Sequence, residues 1–304
     1  MECLALIFVL AQPAVSRTDV DWVLAGRIEV GVDLAQFTRL AFRDATDRDP
    51  APLTTVVGRS VRLWCDARLP DPLRERLRAA GAGESGFRST LDPESLWDGL
   101  FQEFQAAVPM GPLFEQARAE HDAAVASLRE AVRVEAGRVL GYCRVCDPSE
   151  LGRWNREGAR RQLVIPNLIR ARCSPVTIGE TLHTFDDSGR PWRYDPRPLL
   201  HAIAEPLCFD PAWRELREES RSLYRKTLGG PCATLPEHAS WGSLLLDSLV
   251  EALDPRTRGD FRPKLVSETV MLLSPELDVY ERGTRTLRED WPRILRALAR
   301  AARG

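Results

Sequence analysis

"PLFEQARAEHDAAVASLREAVRVEAGRVL", residues 112–140, decides the fold class of this 304-residue chain. Val125, Leu128, Val132, Ala136 and Val139 recur at helical spacing and form one apolar stripe. The reading is one long helix from about Pro112 to about Leu140.

Other helix starts are marked by Asp-Pro and Ser-Pro pairs. Asp is a good N-cap, and Pro is tolerated at the first helical position, where its missing N–H has no partner anyway. Asp71-Pro72 opens "PLRERLRAA", which Gly81 stops. Asp92-Pro93 opens "PESLWDGLFQEFQAA", and Asp195-Pro196 opens "PRPLLHAIAE". Asp210-Pro211 opens "PAWRELREESRSLYRKTL", stopped by Gly229-Gly230, and Ser274-Pro275 opens a short helix before Tyr280. A helix over Pro236–Leu253 buries Trp241, Leu244, Leu245 and Leu249. The last helix carries Trp291, Ile294, Leu295 and Leu298 on one side and Arg293, Arg296, Arg300 and Arg303 on another. Cations are favoured near a helix C-terminus, so that arginine row needs no ligand.

Strands are fewer: Leu4–Leu10, Arg27–Val32, Ser60–Trp64 and Leu163–Pro166. "TIGETLHTF" and "RPWRYD" flank the turn-forming cluster Asp186–Gly189 and are expected to form a β-hairpin. The expectation is a mainly helical α+β protein. It has a small N-terminal mixed α/β part, a long central helix, a β-hairpin and a helical C-terminal third. "AAVPMGP", residues 106–112, is the expected boundary between a mixed part, 1–108, and a helical part, 109–304, that carries the hairpin. One continuous domain is the alternative.

Composition narrows the function classes. Hydrophobic residues make up 44% and charged residues 28%, enough to bury a core. A net charge of −2 removes any bulk attraction to nucleic acid or anionic lipid, so such binding needs a local patch. All but Lys226 and Lys264 of the 42 basic residues are arginine, as a GC-rich bacterial coding sequence produces. Arginine also suits bidentate contacts to phosphate. Seven scattered cysteines are too few and too uneven for a disulfide scaffold, which fits a reducing cytoplasm. Glu2 is the only charge before the first apolar run, where a signal peptide carries a positive one. No run reaches the length of about 20 apolar residues that spans a bilayer.

The chemistry-bearing stretch is "GYCRVCDPSELGRWNREGARRQ", residues 141–162. Cys143 and Cys146 supply two of the four ligands that tetrahedral zinc wants, and Cys173 and His183 are the nearest candidates for the others. The pair follows a helix, the wrong electrostatic end for redox use, and two buried apolar residues on a turn is the simplest reading. Residues 151–200 hold nine arginines against five acids. Arg153, Arg156, Arg160, Arg161, Arg170, Arg172, Arg190 and Arg193 there, with Trp154 and Trp192, form a candidate nucleic-acid surface. Arginines would contact phosphates, and the tryptophans would stack on bases or pack inward. A protein partner or a solvated face are the competing readings.

Cys232 with His238 is a weaker candidate for nucleophilic catalysis, since six positions along the chain is not proximity in space. His121 and His201 read as packed helix residues. H-E-x-x-H, G-x-x-x-x-G-K-[ST] and G-x-S-x-G are absent from the sequence, which counts against the corresponding enzyme classes. The expected role is therefore a binding or accessory subunit. A zinc-dependent or cysteine-dependent enzyme and a structural interaction module are the alternatives.

Overall fold

The computed structural model describes residues 17–47, 55–80, 96–169, 173, 175–186, 192–223, 240–258 and 268–303. The fold is mainly helical α+β, with one small four-stranded sheet. The chain forms two compact units. One takes residues 24–133 and 153–195 and holds the sheet; the other takes 134–152, 196–304 and the chain up to residue 23. The path passes the expected 106–112 boundary without changing unit.

In the sheet unit, β1 (Ile28–Val30) leads into α2 (Leu34–Thr46); the division between the units falls inside the preceding α1 (Arg17–Gly26), between Val23 and Leu24. Asp33 starts α2 with a capping box: its carboxylate accepts from Gln36 N at 2.7 Å, and Gln36 Oε1 accepts from Asp33 N at 2.9 Å. Thr55 caps α3 (Val56–Arg68) by accepting from Gly58 N at 2.9 Å. This helix replaces the strand expected at Ser60–Trp64. The spacing that decides it is Val57, Val61 and Cys65, buried at intervals of four, while Leu63 is 70% exposed. Next come α4 (Asp71–Ala80), α5 (Leu96–Ala107) and α6 (Gly111–Gln116). The Asp92-Pro93 start of α5 lies outside the described residues.

The long central helix is present but broken near its start. Ala117 (φ −94°, ψ 9°) leaves helical geometry and separates α6 from α7 (Arg118–Cys143). Leu128, Val132, Ala136 and Val139 are buried as expected, while Ala124 rather than Val125 continues the stripe. The division between the two units falls inside α7, between Arg133 and Val134.

β2 (Arg161–Pro166) occupies the expected Leu163–Pro166 stretch and pairs in parallel with β1 and with β4 (Thr181–Asp186). β3 (Val176–Ile178) closes the other edge, antiparallel to β4, so the order is β1-β2-β4-β3. A hairpin exists, but inside "TIGETLHTF" rather than across Asp186–Gly189. Gly179, at φ +57°, is the first of two turn residues, a position where only glycine is at ease. Asp186 instead ends β4 opposite Pro166 and accepts from Arg193 N at 3.1 Å. Trp192–Pro196 are not a strand, and residues 187–191 lie outside the described residues.

Alternation along the strands gives the sheet two different faces. On one, Ile165 joins the core of Phe37, Leu40, Phe42, Phe101 and Phe104, with Leu163, Phe185 and Trp192 packed against it. On the other, Ile28, Val30, Val164 and Leu182 surround a buried polar chain. Tyr194 Oη donates to Gln162 Oε1 at 2.6 Å, and Gln162 Nε2 donates to Thr184 Oγ1 at 3.0 Å. Each group in that chain finds a partner, which is what permits its burial.

The helical unit contains the second part of α7, α8 (Arg197–Phe209), α9 (Arg214–Glu219), α10 (Trp241–Thr257), α11 (Glu268–Arg282) and α12 (Leu287–Arg303). Three expectations need correction. The segment after Asp210 is not one long helix: a 3-10 turn, Pro211–Trp213, precedes the six-residue α9, which ends at Ser220. Pro275 lies inside α11 instead of opening a helix. Packing of Val270, Leu273, Leu277 and Tyr280 on one side holds that helix through its proline. Ser240 caps α10 by accepting from Ser243 N at 3.2 Å, so that helix starts at Trp241; residues 236–239 lie outside the described residues.

The C-terminal helix follows its expected faces. Trp291, Ile294, Leu295 and Leu298 are all buried. Arg293 is held by Asp290 and Glu276, and Arg303 reaches Ala299 O. The expected strand Leu4–Leu10 lies outside the described residues. Among the described residues, no helix is long and apolar enough to cross a membrane.

Candidate nucleic-acid interface

Residues 153–161 form a turn that leads into β2, and its geometry is fixed from within. Trp154 is 1% exposed; its N–H donates to Ala159 O at 2.7 Å and its indole Nε1 donates to Arg160 O at 2.7 Å. Asn155 Oδ1 accepts from Ala159 N at 3.0 Å, and Asn155 Nδ2 donates to Thr177 Oγ1 on β3. Gly158, at φ +92°, reverses the chain in a region that side chains avoid. Asn155 with Gly158 three positions later is a turn signal that the sequence reading did not use.

The anchoring turns the arginines outward. Arg153, Arg156, Arg160 and Arg161 are exposed, with Glu157 and Glu180 the exposed acids beside them. Arg160 Nε lies 3.6 Å from Glu180 Oε1, with both side chains largely in solvent, where such a pair is weak. Arg160 N and Arg161 N both donate to Glu180 O, at 2.8 and 3.1 Å, which ties the turn to β4. Arg27, ahead of β1, donates to Arg160 O at 3.3 Å. Sequence reading missed Arg27 because it lies 133 positions away and only parallel pairing brings it alongside.

The aromatic residues do not form a stacking surface. Trp154 and Tyr194 are buried, and burial with desolvation pushes the Tyr194 phenol well above its ordinary value. Trp192 is half-buried against the core of the sheet unit. Arg193 is exposed and fixed through its backbone by Asp186. Arg170, Arg172 and Arg190 lie outside the described residues.

Cys143-x2-Cys146 turns out to be the end of α7. Val145 N donates to Leu140 O at 3.0 Å and Arg144 N to Gly141 O at 3.3 Å, the paired bonds of a Schellman cap. The left-handed position is filled by Arg144 (φ +53°) instead of glycine. Its guanidinium lies 4.7 Å from the Tyr280 ring centre and donates to Arg285 O at 2.6 Å. Cys143 is buried, and loss of water pushes its thiol up to about 12; Cys146 is exposed.

Cys143 and Cys146 belong to the helical unit, Cys173 and His183 to the sheet unit. Burial lowers the His183 pKa, and Arg39 adds to that effect. Among the described residues, no group of three or more His, Cys, Asp or Glu is placed to hold a metal ion. Cys232 and His238 lie outside the described residues. His201 is half-buried on α8, and His121 is buried on α7. No protein-family model matches the chain, and no curated protein or solved structure matches it.

Proposed function

We propose that this chain is a binding protein that holds nucleic acid by its phosphates, through the turn 153–161. One observation carries the reading: Arg153, Arg156, Arg160 and Arg161 stand exposed on a turn whose own indole and amide groups hold it in shape. A preordered turn loses less freedom when its guanidinium groups engage a ligand. Guanidinium groups also match phosphate oxygens in pairs. Burial of Trp154 and Tyr194 favours backbone contact over base stacking, so little dependence on base sequence is expected.

Filter binding of RNA and DNA at two salt concentrations tests this. Affinity should fall steeply with salt, and Arg153, Arg156, Arg160 and Arg161 changed together to Ala should flatten that dependence. Each lost phosphate contact removes about 0.7–0.9 from the logarithmic slope. Absence of binding at low salt, or binding unaffected by the four substitutions, rejects the proposal.

A further inference from the structure

His121 sits where α2, α6 and α7 meet, one turn after the break at Ala117. It is 3% exposed. Phe37 of α2 and Phe114 of α6 each place a ring centre 5.0 Å from the imidazole, at 85° and 35°. Neither Nδ1 nor Nε2 has a hydrogen-bond partner. An imidazole with both nitrogens unsatisfied in an apolar slot is already costly, and it becomes more so once charged.

The charges around this site offer little to offset that cost. Glu120 and Asp122 act on the ring, but both are exposed on α7, and burial outweighs them, so the imidazole stays below its ordinary pKa. The charged groups of α2 and α6 are engaged with other residues. Asp33 caps α2, Arg39 lies over Phe101, Asp44 pairs with Arg62 and Glu115 with Arg118. Arg43 is further along α2.

We propose that this junction is a proton-sensitive joint, kept shut by a neutral His121 and opened when the ring takes up a proton. The break at Ala117 provides the hinge. Ala117 lies outside both helices, and the backbone bonds there include Ala117 N to Leu113 O and His121 N to Ala117 O, both 3.0 Å. Opening would let the imidazolium reach water and would uncover Phe37 and Phe114.

The sign follows from linkage. The closed form excludes the proton and the open form binds it with the ordinary value of about 6.5. Closure is therefore at full strength above that value. It weakens as pH falls below it, by up to about tenfold in the opening constant per pH unit. The test is hydrogen exchange of peptides covering 111–130, between about pH 7.5 and about pH 5.5, with rates corrected for intrinsic chemistry. The wild type should show about a tenfold rise in the opening constant across the acidic part of this range, and His121→Phe should show none. Equal pH dependence in the two proteins overturns the proposal.

Should His121→Phe fail to fold, wild-type ring resonances decide. A His121 ring that stays neutral in the closed form below about pH 6 supports the joint. A ring that titrates in the closed form at or above about 6.5 overturns it.

Discussion

The hydroxyl of Tyr280, on α11, donates a 2.6 Å hydrogen bond to the main-chain carbonyl of Tyr142, in the last turn of α7. A carbonyl that close to a helix end has no partner within the helix, so a side chain from a neighbouring element completes it. The same two residues stack edge to face, with ring centres 5.9 Å apart. Tyr142 Oη in turn donates to Glu281 Oε1 at 2.7 Å, which also accepts from Arg256 Nη1 at 2.6 Å. Tyr280→Phe keeps the ring and strands the carbonyl, so it should cost about 1–3 kcal/mol. Urea unfolding should show a lower midpoint with an unchanged slope.

Arg144 combines a strained backbone with favourable contacts, and two substitutions separate them. Arg144→Ala keeps the left-handed cost and loses the contacts to Tyr280 and Arg285. Arg144→Gly loses the same contacts but relieves the backbone. The Gly protein should therefore be the more stable of the two by about 1 kcal/mol. Equal thermal midpoints for the two would show that the cap geometry carries no cost.

The two cysteines at this cap should differ sharply in reactivity. Cys146 is exposed and should alkylate with iodoacetamide in the native protein. Cys143, buried with its thiol pushed up to about 12, should alkylate only on unfolding. Mass spectrometry of peptides after labelling, with and without urea, reads both. Metal analysis of the purified protein addresses the zinc reading independently.

Trp154 tests the idea that a fixed turn presents the arginines. Trp154→Phe removes the 2.7 Å bond to Arg160 O but no charge. Nucleic-acid affinity should fall about threefold to tenfold, roughly the worth of one hydrogen bond, with the salt slope unchanged. Arg160→Ala should instead lower the slope, because it removes a phosphate contact.

Much of the fold was legible because helical burial repeats locally. Leu128, Val132 and Ala136 mark the core side of α7, and Trp291, Ile294 and Leu298 that of α12, without reference to any other segment. Misreadings arose where two local patterns competed. Val61-x-Leu63 alternates like a strand, yet the Thr55 cap and the Val57, Val61, Cys65 spacing form a helix. Asp186–Gly189 reads as a turn, yet Gly179 makes the tighter one first.

By itself, the sequence determined the helical character, the positions of most helices and β2, and the concentration of arginines after residue 150. Those properties depend on neighbours within a few positions. Only the tertiary structure decided that Trp154 and Tyr194 face inward and that Arg27 joins Arg160 across parallel strands. It also showed that Cys143-x2-Cys146 closes a helix against Tyr280. Each of these depends on which distant segment supplies the facing side chain or carbonyl. Spacing along one strand of chain does not encode that.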